Sequence, residues 1–192
     1  MFKTFVIVSG VALVGVATVV AEARPPMDHT KEQIAVEKEA VEMVAQVEEA
    51  ARDVGYHAGR LADLTQNFGV SRWTHYHHLD DIKALVNDGL RPALKRLTDV
   101  QAQLPEWKQE SVDRMVADAM RLSEDASSAY IAKASGTGLP LAMNDEYKRF
   151  ISGVVAHAAA LVKTSDATHG YAEAHLKASE AGLSVPKTRP TS

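Results

Sequence analysis

Between residues 40 and 68 the apolar positions fall in alternating steps of four and three. Ala40, Val44, Val47, Ala51, Val54, Ala58, Leu61, Thr65 and Phe68 form a heptad seam. The spacing predicts a long first helix over 30–68, opened by a capping box of Thr30 and Gln33. Ala40, Ala51 and Ala58 keep parts of the seam small, so a neighbouring helix can approach closely. Asn67 to Ser71 reads as a stop, with Gly69 after the helix end and Ser71 as the next N-cap. A second apolar stripe follows over 72–103: Leu79, Ile82, Val86, Leu90, Leu94, Leu97, Val100 and Leu104. Gly89 and Pro92 interrupt it, which predicts a kink near 88–92 or two shorter helices.

A third helix is expected over 106–134, with Val112, Met115, Val116, Ala119, Leu122, Ala126, Ala129 and Tyr130 as its stripe. The run Ser135 to Pro140 breaks the chain. Asn144, followed by Asp145 and Glu146, supplies a cap and first-turn acids for a fourth helix. Its stripe reads Phe150, Val154, His157, Leu161, Thr164, Thr168, Tyr171 and His175. Four amphipathic helices on short connections imply an all-α, antiparallel up-and-down four-helix bundle over 30–180. The tail, 181–192, carries Pro186 and Pro190 and little to bury, so disorder is expected there.

The first 23 residues are patterned differently. Lys3 precedes an apolar run from Phe5 to Val20, and Ala21-Glu22-Ala23 fits the small-x-small cleavage rule. That run is shorter than the roughly 20 residues that span a bilayer. A cleavable signal peptide over 1–23 and an extended spacer over 24–29 follow, which places the mature chain in the periplasm or outside the cell, without a membrane span. The formal net charge of −4 gives no electrostatic footprint for nucleic acid. The chain has no cysteine, which excludes disulfides, thiolate nucleophiles, Cys-ligated zinc and covalent c-type haem.

Potential ligands concentrate in one place. On a helix His75 and His78 stand three apart, and His77 and Asp81 four apart, so each pair shares a face. His75, His77, His78 and Asp81 are the candidate metal ligands, suited to zinc, copper or nickel, and a divalent transition metal is the one candidate cofactor. The bland reading is a helix start with solvated acids. Di-iron chemistry fails its spacing test, because no Glu stands three residues before any histidine of the mature chain. His157, with Met43, Met115 or Met120, is the sole basis for a b-type haem, and a core histidine among gap-filling methionines explains those residues as well. No nucleophile elbow and no H-E-x-x-H appear, so no enzyme is expected. Glu32, Glu37, Glu39, Glu42, Glu48 and Glu49 read as the solvated face of the first helix.

From His75 and His78 through Leu79, Ile82-Lys83, Asn87 and Gly89, then Pro105, Trp107, Gln109, Val112-Asp113-Arg114 and Tyr130-Ile131, the chain resembles a family of small exported bacterial helical proteins of unassigned function. The resemblance covers about 71–151, and Glu106 departs from it by separating Pro105 from Trp107. It implies a helical fold and export and no activity. Trp107, Asp113 and Arg114 are expected to fix the hairpin between the second and third helices. The expected role is a non-enzymatic binding or structural module of the cell envelope. Its partner is an unknown protein or a second copy joined through the alanine-rich seam; the alternative role is metal binding through the His75–Asp81 cluster.

Overall fold

The computed structural model describes residues 31–134 and 140–181, without the side chains of 31, 32, 106, 107 and 179. The signal peptide, the spacer, Thr30, the Trp107 side chain and the tail from 182 therefore lie outside the described residues. Helices α1 (Lys31–Leu64), α2 (Arg72–Ala84), α3 (Arg91–Val100), α4 (Glu106–Ala134) and α5 (Asp145–Glu180) account for most of the rest. A π-helical turn, Leu85–Leu90, joins α2 to α3 without a break, so residues 72–100 form one bent limb. With α1, α4 and α5 this makes an all-helical, four-membered bundle, and no strand occurs among the described residues. No described helix is long and apolar enough to cross a membrane.

Helix α1 ends at Leu64, before the expected boundary, and Phe68 is exposed in the turn rather than on the seam. Asn67 builds that turn by accepting from the Gly69 backbone N–H at 3.1 Å. Ser71 then caps α2, accepting from the Thr74 N–H at 3.4 Å. Asn144 caps α5 in the same way, accepting from the Tyr147 N–H at 3.0 Å. Ion pairs tie the start of α1 to the ends of its neighbours, Lys38 to Glu180 and Glu39 to Arg96, so α5 and the bent limb both run opposite to α1.

The interruption expected near 88–92 falls at the π turn, which separates two shorter helices, α2 and α3. From Ile82 the apolar residues step by four three times, to Val86, Leu90 and Leu94. On an α-helix each such step drifts about 40°, and three drift by about one residue's worth of rotation. One wide turn absorbs that drift: Arg91 N–H bonds the Val86 carbonyl, five residues back. Pro92, which has no N–H and would crowd the Asp88 carbonyl of a tight helix, enters at the start of α3. Gly89 lets this turn lie against α1, where a Cβ would stand 3.4 Å from that of Ala50.

The α1 seam from Ala40 to Leu61 is fully buried, and α5 packs along it closely enough to place the Ala158 Cβ 3.6 Å from a Cβ built on Gly55. The seam is consumed inside the bundle. On α5 the core stripe is Tyr147, Ile151, Val154, Ala158, Leu161, Ser165, Thr168 and Ala172. Phe150, His157, Thr164, Tyr171 and His175, expected on the stripe, flank it instead. His157 faces the Asp125 carboxylate at 3.5 Å, and Met120 is exposed, so the two are not gathered as a haem clasp.

The glutamates of α1 are not all solvated. Glu37 is buried against Lys108 (3.2 Å) and His175 (3.4 Å), joining α1, α4 and α5, and burial holds the Lys108 ammonium below its ordinary pKa. Glu48 is buried beside Arg52 and His169. Asp113 does pin the α3–α4 hairpin, accepting from Gln101 Nε2 at 2.8 Å, whereas Arg114 pairs within its own helix with Glu110.

Candidate metal centre

Because α2 returns antiparallel along α1, residues equally far from the turn meet. His57 lies eleven residues before Phe68 and His78 ten after it. Their Nδ1 atoms are 3.1 Å apart, and His57 Nδ1 also lies 3.3 Å from Asp81 Oδ2. One ligand atom from each of the three residues falls within 4.8 Å of the others. At metal–ligand distances of about 2.0–2.1 Å, the edge of a tetrahedron is about 3.3–3.4 Å. The separations of His57 Nδ1 from His78 Nδ1 and from Asp81 Oδ2 match such an edge.

The donor set fits a borderline divalent metal: two imidazoles and one carboxylate, with one coordination position left for water. All three residues are half-buried, and His57 and Asp81 line a cavity of about 430 Å³ together with Asp53, His77 and Asp88. Burial, reinforced by the neighbouring His57, lowers the His78 pKa and keeps the ring neutral, the form that binds metal. His77 stands outside the trio. It is exposed, stacks on Trp73 at 5.9 Å, and brings Nε2 to 3.7 Å from Asp81 Oδ2. Trp73 is itself exposed.

His75 does not join the cluster. It points into the core with Leu79 and Ile82, where Nδ1 meets the Tyr147 hydroxyl at 3.2 Å. Burial lowers the His75 pKa and raises that of the Tyr147 phenol. Of the residues expected from sequence, then, His78 and Asp81 come together, His77 borders them, and His75 faces away. The candidate ligand that sequence reasoning missed is His57. Its signal lay in the hairpin register, which also pairs Glu39 of α1 with Arg96 of α3, farther along the same limb.

Compared with models of known families, with curated proteins and with solved structures, the chain shows no match.

Proposed function

We propose that this chain is an exported helical-bundle protein that binds one divalent transition metal ion through His57, His78 and Asp81. His77 is the outer partner that orients the Asp81 carboxylate. The observation that carries the reading is the gathering of three half-buried donors from two helices within 4.8 Å, with His57 at tetrahedral-edge distance from both of the others. Supporting it is the surface around the cluster: Asp53 and Asp88 line the adjoining cavity and add negative potential that draws cations inward. The export reading rests on the leader pattern of residues 1–23, and the antiparallel up-and-down arrangement sets the hairpin register that builds the site. As a binding module it holds the ion; we assign no reaction to it.

Titration of the mature chain with cobalt(II) and zinc(II) tests this. The expected result is one equivalent bound, with cobalt giving the intense visible absorption of a four-coordinate N/O site. Zinc at a hundredfold excess over Kd is expected to stabilise the fold by about 2.7 kcal/mol. Metal bound only in substoichiometric amounts, or with an octahedral cobalt spectrum and no stabilisation, would overturn the reading.

A further inference from the structure

Three of the four helix seams in the bundle are tightly closed, while the fourth, between the bent limb and α4, is pinned only at its ends. At one end Lys133 of α4 sits over the Tyr76 and Tyr130 rings, at 3.5 and 4.0 Å. At the other, Gln101 bonds the Gln109 carbonyl and Asp113. Between these pins the seam opens into two adjoining cavities of about 350 and 310 Å³, which share Arg91 and Ser123. The cause is visible in the sequence: on this face α4 presents Ala119, Ser123, Ala126 and Ser127, too small to meet the limb. A close-packed interior does not leave such volume.

The groove is chemically two-sided. Its floor is apolar, from Val86, Leu90 and Leu94 on the limb and Val116, Ala119 and Ala126 on α4. The rim of the larger cavity carries Lys83 and Arg91 and no carboxylate, in a chain whose net charge is −4. Arg91 is held along this rim by donating to Asn87 Oδ1 at 2.9 Å. The one acid of the groove, Glu124, borders the smaller cavity, where Met120 forms an exposed apolar lip. Lys83 lies in the larger cavity, Arg91 at the junction of the two, and the Met120 lip in the smaller one.

We infer that this groove binds an unbranched fatty acid, its carboxylate between Lys83 and Arg91 and its chain along Leu90, Leu94, Val116 and Met120. From Glu124 to Val116 α4 rises about 12 Å, room for a chain of about ten carbons. The site is independent of the His57–Asp81 cluster. Leu85, Asp88 and Gly89 of the π turn face the metal-side cavity, while Val86, Asn87 and Arg91 face the groove.

Isothermal titration of the metal-free mature chain with decanoate, and separately with decan-1-ol, tests the assignment. Decanoate is expected to bind saturably at one per chain, with the alcohol at least about tenfold weaker. Replacing both exposed cations (Lys83→Ala with Arg91→Ala) should weaken decanoate about tenfold and leave the alcohol unchanged. Ser123→Phe, which fills the junction of the two cavities, should abolish binding of both. Circular dichroism confirms that each variant is folded; should Ser123→Phe misfold, the double cation variant decides alone. Absence of saturable decanoate binding would overturn the inference. So would equal affinity for acid and alcohol, or light scattering that shows the groove closed by a second copy.

Discussion

Glu37→Gln should be among the most damaging conservative substitutions in this protein. The side chain keeps its shape, but the carboxylate opposite Lys108 at 3.2 Å loses its charge. Lys108 is 3% exposed, so its ammonium cannot turn to water. Removing one partner of a buried ion pair costs about 3–5 kcal/mol. For a domain of this size that lowers Tm by about 6–20 °C. Replacing both partners, as Glu37→Gln with Lys108→Met, should recover most of the loss, since an apolar pair of similar volume is close to neutral. The pH dependence separates this cause from simple misfit. Burial holds Lys108 below its ordinary 10.5 in the folded chain, while Glu37 pulls it back up. Without Glu37 the folded value falls further. Between that value and 10.5 the unfolded chain binds more protons, so stability rises with pH. Thermal melts followed by circular dichroism at about pH 7 and about pH 10 should therefore show the penalty of Glu37→Gln shrinking on the alkaline side. A loss below about 1 kcal/mol, or one that grows with pH, would refute the reasoning.

Other outcomes follow from the same structure. Leu122, fully buried on α4, should cost about 2–5 kcal/mol when cut to alanine, read as a lower urea midpoint. Gly89→Leu should force the π turn off Ala50 and cost about 1–3 kcal/mol, while Gly89→Ala stays nearly neutral. His75 is kept neutral by burial, so its folded pKa lies below the ordinary 6.5 and the unfolded chain takes the proton first as pH falls. Stability should then drop below that pH by up to about 1.4 kcal/mol per unit, and the double variant His75→Leu, Tyr147→Phe should flatten the slope in melts across that range.

The helices themselves were legible because their periods are long and their caps conventional. Glu106–Ala134 and the Asn144 cap match the reading from sequence, and the bent limb differs only in how it bends. A proline and a glycine inside an apolar stripe pointed to a kink or two shorter helices; two shorter helices are found, joined by a wide turn that suits three consecutive steps of four. On α5 two stripes with the same four-three rhythm share Val154, Leu161 and Thr168, and periodicity alone does not choose between them. The small-residue stripe won because it fits the alanine-rich seam of α1. The buried Glu37 and Glu48 were missed for a related reason: composition marks an acidic face as solvated, and only the packing of α4 and α5 brings Lys108, His175 and His169 over it.

The metal cluster shows the limit most clearly. Helical arithmetic within one segment put His75 and His78 on a shared face. Three residues around a helix subtend about 60°, however, enough for one ring to enter the core and the other to reach the edge. The third candidate ligand, His57, comes from another helix, twenty-one residues back, where nothing in the local pattern marks it.

The most direct test compares two alanine variants by zinc affinity at constant pH. His57→Ala should weaken binding by about a hundredfold or more, and His75→Ala, measured on folded protein, should leave it within about threefold of the parent chain. If His75→Ala removes the metal and His57→Ala keeps it, the ligands come from the contiguous sequence cluster, and a site bridging α1 and α2 is contradicted.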